Sequence, residues 1–230
     1  MSTALAIFVK TPGYSPIKTR LAATTGAAAA TAFHRLAARA VVESAQAACA
    51  RDPALHGYWA VAEGAALDHP LWQDLPRLWQ GEEGGLGARM HRIYATLLAR
   101  HARVLLVGAD TPQLTPDLLL QARDALTATT TPFVMGEARD GGFWLFGGRA
   151  PIARDLWCAV RYSCAETARQ FRAALRPLGG LAALPQLTDV DREADLDALD
   201  DTLAALPNPS PAQCELLHWL AVRREALDNV

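Results

Sequence analysis

The chain has 230 residues, a net charge of −2 and an isoelectric point near 6.3. That charge argues against a general polyanion binder, because nucleic-acid domains carry a clear basic excess. With 51% hydrophobic and 20% charged residues, the composition excludes a disordered chain. No stretch approaches the ~20 apolar residues of a membrane span. The opening apolar run is too short for a signal peptide and leads into a loop. Cys49, Cys158, Cys164 and Cys214 form no Cys-x-x-Cys pair, and the histidines are scattered without zinc-ligand spacing. These features lead us to expect reduced thiols, a cytoplasmic protein, and no nucleic-acid or membrane partner. The length fits one domain over residues 1–230, with residues 207–230 as a C-terminal helical extension.

In chain order, residues 4–9, ALAIFV, are continuously apolar, as in a strand covered on both faces. A Pro/Gly-rich loop, KTPGYSPIKTRL, follows. The Ala-rich stretch 31–50 predicts a helix, GYWAVA (57–62) a second strand, and LPRLWQ (75–80) a weaker third. GGLGARM opens a helix to about His101. RVLLVGAD (103–110) is the clearest strand, and Thr115, Pro116 and Asp117 supply an N-cap, a first-turn proline and a first-turn acid for the next helix. PFVMGEA and GFWLFGG, separated by RDGG, predict antiparallel neighbours. Ser163 to Glu166 has capping-box form. LAALPQL is a late strand, Asp191 is expected to cap a helix to about Leu206, and Ser210–Pro211 opens a last helix running to the C-terminus. The alternation predicts a three-layer α/β/α sandwich around a mixed, mostly parallel sheet. In such sheets ligands bind beyond the carboxyl ends of the strands.

Several charged and Gly-rich segments fall at that edge. Lys10, Lys18 and Arg20 sit on a loop restrained by Pro12, Gly13 and Pro16. Convergent cations before a helix can cradle a phosphate; the loop also reads as a solvated surface turn. Asp110 ends a buried strand, where a carboxylate suits a hard divalent cation or simply bonds its own turn. Asp189 and Asp191 follow the late strand. Asp189 is expected on the opposite face from Asp191 if the strand extends that far, and Asp191 reads as a helix cap, a metal ligand, or both. Gly84, Gly85 and Gly87 permit close backbone approach to a ligand. Asp140, Gly141 and Gly142 precede an aromatic-rich strand whose side chains read as core. Ser163 has no histidine or acid at a catalytic spacing.

Together and in this order, IFVKTPGYSPIKTRL, GGLGARM, VGADTPQL, DGGFWLFG and LTDVDREADL resemble the bacterial rSAM/selenodomain-associated transferases. That family is related to the phospholactate guanylyltransferases and lies in the nucleotide-diphospho-sugar transferase superfamily, with the GT-A fold. The resemblance covers roughly residues 4–200. It implies Mg²⁺ (or Mn²⁺) held by Asp110 and Asp191, catalytic roles for Lys18, Arg20 and Asp140, and nucleotide contacts from Lys10, Lys18, Gly85, Gly87, Arg89, Gly141 and Gly142. The chain departs from the family pattern at Gly85 and Ala88, where acidic residues are usual, and at RYSCAET, where a Trp-Ser/Gly-Thr motif is usual. Thr111–Pro112 replaces the rest of an Asp-x-Asp pair. The implied activity is nucleotidyl transfer from a nucleoside triphosphate to a small phosphorylated or phosphonate acceptor. A glycosyltransferase using a nucleotide-sugar, and a non-catalytic nucleotide-binding protein, are the alternatives. A homodimer is left open.

Overall fold

The computed structural model describes residues 1–127 and 131–228. Seven strands, β1 (Thr3–Val9), β2 (Leu55–Val61), β3 (Arg77–Trp79), β4 (Arg103–Gly108), β5 (Phe133–Ala138), β6 (Phe143–Gly148) and β7 (Leu181–Leu187), form one sheet in the order β3-β2-β1-β4-β6-β5-β7. β1 runs parallel to β2 and β4, β2 to β3, and β5 to β7. Only β6 is antiparallel to its neighbours, β4 and β5. The sheet is therefore mixed and mostly parallel, as the strand signals predict.

The period of two along β1 explains the layering. Leu5, Ile7 and Val9 point to one face, Ala4 and Ala6 to the other, and all are buried. The first face is covered by α2 (Ala27–Arg51) and α4 (Pro116–Ala125), through Val41, Val42 and Leu119. The second is covered by α3 (Leu86–Leu98), α5 (Arg154–Ala159) and α6 (Thr167–Leu175), where Trp157 and Phe171 meet Phe146 of β6 in edge-on and tilted ring contacts. A third cluster lies outside α2. There Leu21 of α1 (Thr19–Thr25) and Phe33 meet Leu199 of α7 (Asp195–Ala204) and Leu216 of α8 (Pro211–Asp228).

Four local readings change. The helix expected over residues 31–50 starts earlier, at Ala27, and a separate turn of helix, α1, precedes it across Gly26. Asp191 caps nothing: α7 begins at Asp195, and it is the Asp195 carboxylate that accepts the backbone N–H groups of Asp191 (2.8 Å) and Arg192 (2.7 Å). Ser163 makes no capping box, because α6 begins at Thr167, whose hydroxyl bonds the Cys164 carbonyl at 2.7 Å. The helix α5 has no counterpart among the predicted elements. Thr115 does cap α4, its hydroxyl accepting from the Leu118 N–H at 3.3 Å. Residues 229–230 of the expected final helix lie outside the described residues. No described helix is long and apolar enough to cross a membrane.

Candidate active site

The sheet changes winding direction at β1. Its chain leaves toward β2 on one side, while β4 returns on the other. Ligands of open α/β sheets sit at such a switch, beyond the carboxyl ends of the strands. Here a cleft of about 570 Å³ opens between the ends of β1 and β4, lined by Lys10, Lys18, Arg20, Arg89, Asp110, Asp140, Gly142, Asp189 and Asp191 among others.

The loop after β1 is built to hold Lys18 in place. Thr11 is buried at its root, accepting a hydrogen bond from the Trp72 indole (2.9 Å) and donating its backbone N–H to Glu63 (3.0 Å). The loop then climbs to Lys18, whose backbone is left-handed (φ 42°) at the start of α1. Among the described residues only Lys18 and Ser163 (φ 59°) are non-glycine with positive φ, and both line this cleft. Such strain persists where surrounding structure over-determines it, and it clusters at functional sites.

The Lys18 side chain is 6% exposed, and its ammonium lies 2.9 Å from Asp110 Oδ2 and 3.5 Å from Asp191 Oδ1. It also donates to the Val190 carbonyl at 2.5 Å. Arg20 pairs with the other oxygen of Asp191 at 2.9 Å. Burial alone would lower the Lys18 pKa, but the charges of Asp110 and Asp189 outweigh it and hold it above the ordinary lysine value. The lysine therefore stays charged.

Asp189 belongs to this cluster. β7 ends at Leu187, and beyond it the Asp189 carboxylate turns inward to accept the Thr111 hydroxyl at 2.6 Å. The expectation that it faces away from Asp191 does not hold: residues two apart along an extended chain share a face. Burial, and then the charge of Asp110, push the Asp189 carboxyl up to about 6 against the pull of Lys18. The two loops that carry the carboxylates are laced together. Gln113 donates to the Thr188 carbonyl at 2.6 Å, and the Val190 N–H reaches the Asp110 carbonyl at 3.5 Å.

His34, a buried residue of α2, completes the floor. Its Nε2 bonds the Lys10 carbonyl (2.9 Å), and its Nδ1 stands 4.0 Å from Asp110 Oδ1. His34 does not stand out in the sequence. A lone histidine inside an Ala-rich helix offers no local pattern, whereas for Asp189 the sequence marks the place at the sheet edge but not the direction of the side chain.

The remaining sequence-derived residues divide. Asp140 lines the cleft and accepts the Gly142 N–H at 2.8 Å. Arg89 lines it from the first turn of α3. Gly85, Gly87 and Gly141 do not line it. Gly85 is the cap position of α3, and a Cβ on Gly87 would collide with the Trp157 carbonyl, so Gly87 lets α3 lie against α5. Gly141 has φ 88°, and a Cβ there would strike the Ala165 backbone.

Asp110 and Asp191 are both aimed at one cationic point and keep 38% and 40% of their side chains exposed. Such hard, accessible oxygens match what Mg²⁺ or Mn²⁺ requires. Among the described residues no group of three or more His, Cys, Asp or Glu side chains is set to hold a metal ion. Any ion bound by Asp110 and Asp191 must therefore draw further oxygens from substrate and water.

The fold is that of the nucleotide-diphospho-sugar transferases, GT-A-like. It superposes on the crystal structure of a protein from Desulfovibrio desulfuricans G20 described as a candidate nucleotide-diphospho-sugar transferase, with TM-score 0.81 and 24% identity over 99% of this chain and 97% of that one. More distant likeness extends to CMP:2-keto-3-deoxy-manno-octonic acid synthetase in complex with CTP (TM-score 0.55, 11% identity, 89% of this chain and 99% of that one). It also extends to glucosyl-3-phosphoglycerate synthase from Mycobacterium tuberculosis with Mn²⁺, UDP and phosphoglyceric acid (TM-score 0.51, 10% identity, 90% and 80%). No curated protein matches the sequence. The chain belongs to the DUF2064 family, described as an uncharacterized protein conserved in bacteria, whose model matches residues 43–164.

Proposed function

We propose that the protein is a nucleotide-dependent transferase, and more narrowly a Mg²⁺-dependent nucleotidyltransferase acting on a small phosphorylated or phosphonate acceptor. This narrower reading follows the resemblance to the rSAM-associated and phospholactate guanylyltransferase-like proteins. The observation that carries it is the convergence of Asp110 and Asp191 on the Lys18 ammonium at the sheet's switch point. Phosphate chemistry needs this combination of hard carboxylate oxygens beside a restrained cation.

In this reading an oxygen of the acceptor attacks the α-phosphorus of the nucleoside triphosphate, and pyrophosphate leaves. Asp110 and Asp191 would hold the divalent ion, which would supply charge to offset that of the phosphate oxygens. Lys18 and Arg20 lie within reach of the same carboxylates and turn their charge to the phosphates as negative charge develops there. The Thr111–Asp189 and Gln113–Thr188 bonds keep the two carboxylate loops in register. Lys10 and Gly142 contribute to the nucleotide's surroundings.

A glycosyl-transfer reading has one observation in its favour: Asp140 lies in the same cleft, where a carboxylate could take the proton of an acceptor hydroxyl. Its Oδ1 is committed to the Gly142 N–H.

The test is a thermal-shift screen of nucleoside triphosphates and nucleotide-sugars with and without Mg²⁺. A ligand at about 100 times its Kd stabilises the native state by about 2.7 kcal/mol. At roughly 2–4 °C per kcal/mol for a chain of this size, that is a shift of about 5–10 °C. The shift should need Mg²⁺ and should vanish in a folded Asp110→Asn variant. A full Mg²⁺-dependent shift in that variant would remove Asp110 from the site. Pyrophosphate release on adding an acceptor separates nucleotidyl from glycosyl transfer.

A further inference from the structure

We infer that Arg89 is the anion receptor of the acceptor, a subsite across the cleft from the nucleotide phosphates. The inference rests on the transferase reading and names the group that would select its second substrate.

The cleft spans both faces of the sheet edge, and its charges are unevenly committed. On the α1 and α2 side, Lys18 and Arg20 are tied to Asp110 and Asp191, with Asp189 behind them. On the α3 and α6 side stands Arg89. Its Nε is buried without a hydrogen-bond partner, and no carboxylate of the described residues pairs with its guanidinium. Asp140, which lines the same cleft, has one oxygen taken by its own turn.

A guanidinium whose Nε–H is buried and unmet is a costly arrangement, with a desolvation penalty that a bound partner removes. The partner that best fits Nε–H together with a neighbouring Nη–H is a group with two oxygens side by side, such as a phosphate or phosphonate. The position of Arg89 is rigidly set. It lies two residues beyond Gly87, whose missing side chain lets α3 sit against the Trp157 carbonyl and the Tyr162 ring. In the same cleft, Leu86, Met90, Phe143 and Tyr162 line a surface that could receive the apolar body of a small molecule. The class of ligand is therefore a small phosphate ester or phosphonate with a partly apolar body.

The experiment follows Arg89 itself. Full-length protein labelled with ¹⁵N-arginine gives Nε–H resonances, and a shielded Nε–H exchanges slowly enough to be seen. The Arg89 signal is assigned by its loss in Arg89→Gln, or by its loss in Arg89→Lys if the glutamine variant does not fold. Inorganic phosphate and methylphosphonate are then titrated with a saturating Mg²⁺-nucleotide present. The expected result is a saturable movement of the Arg89 resonance by either anion while nucleotide stays bound. In the variants the phosphate Kd should rise on the order of tenfold to a hundredfold, as for a lost charged hydrogen bond.

An Arg89 signal indifferent to both anions overturns the inference. So does a signal moved by the nucleotide alone, with phosphate competing for it, because Arg89 would then serve the nucleotide. The Mg²⁺-dependent thermal shift, read on the same samples, reports on the transferase reading separately. A nucleotide shift with a silent Arg89 sinks only the anion subsite. A responsive Arg89 with no nucleotide binding sinks the transferase reading and, with it, the acceptor role.

Discussion

At the scale of single residues, Lys18 combines two costs. A left-handed backbone costs roughly 1–2 kcal/mol in a non-glycine residue, and burying an ammonium costs more unless it is paired. Both are met by Asp110, Asp191 and the Val190 carbonyl. If Lys18 serves phosphate charge, Lys18→Ala should weaken nucleoside di- and triphosphate binding about tenfold or more, a charged hydrogen bond being worth about 1.5–3 kcal/mol. Nucleoside binding should stay near wild type. Calorimetric titration decides it, and equal losses for nucleoside and nucleotide would leave the loop with no phosphate role. Asp189 makes a prediction about pH. Its folded pKa, about 6, lies above the ordinary 3.8. The stability tied to its proton is therefore complete below the unfolded value and lost as pH rises through the folded one. Asp189→Asn escapes that loss while keeping an oxygen for the Thr111 hydroxyl. Without ligands, the variant should melt a few degrees above wild type at about pH 8, and by less at about pH 5. A gap that does not shrink on acidification would mean the Asp189 carboxyl ionises normally.

At the scale of elements, the site is two loops held against each other, and α8 braces one of them. The buried Gln213 amide donates to the carbonyls of Pro112 (2.8 Å) and Leu114 (3.0 Å), just past Asp110. Leu114 keeps a second donor in Ser44 (2.7 Å), and among the described residues no other donor is recorded for the Pro112 carbonyl. Gln213→Leu should therefore cost about 1–3 kcal/mol, the penalty of an orphaned buried carbonyl. Urea unfolding measures this, and an unchanged midpoint would show that the brace carries no load. Such a brace is invisible in the sequence, because its partners lie about a hundred residues apart. What could be read there is what depends on near neighbours. The apolar runs of β1 and β4 mark buried parallel strands, Thr115–Pro116 marks a helix start, and RDGG joins two antiparallel strands. Asp191 shows the limit. An aspartate ahead of a helix looks like its cap, yet α7 begins only at Asp195, whose carboxylate takes the Asp191 and Arg192 N–H groups, and the Asp191 side chain is left to Lys18 and Arg20. The inward turn of Asp189 depends on the distant Thr111 hydroxyl, a partner that no local pattern marks. The short α5 was missed because its one deeply buried residue, Trp157, makes no period. Nor could the sequence reveal that Arg89 lacks a partner, since pairing is a property of the folded surface.

At the scale of the whole molecule, the question is whether residues 207–230 form an appendage or part of one cooperative unit. Helix α2 bears on it directly. Ala38, Val41 and Val42 pack into the core beneath the sheet, while Ala30, Phe33 and Ala37 of the same helix pack outward against α7 and α8. The outer cluster cannot loosen without baring one side of a helix that the inner core needs. It also contains Val190, whose carbonyl holds the Lys18 ammonium, and so ties α8 to the candidate site. Leu216 of α8 is fully buried in this cluster. Leu216→Ala should cost about 2–5 kcal/mol, the usual loss for a buried leucine. The whole molecule should pay that loss in a single calorimetric transition, displaced downward by about 2–4 °C for each kcal/mol. An independent extension would behave differently: a weak early transition would split off, and the main one would remain at the wild-type Tm. One displaced transition makes α8 part of the domain that carries the site; two separated transitions would make it an appendage.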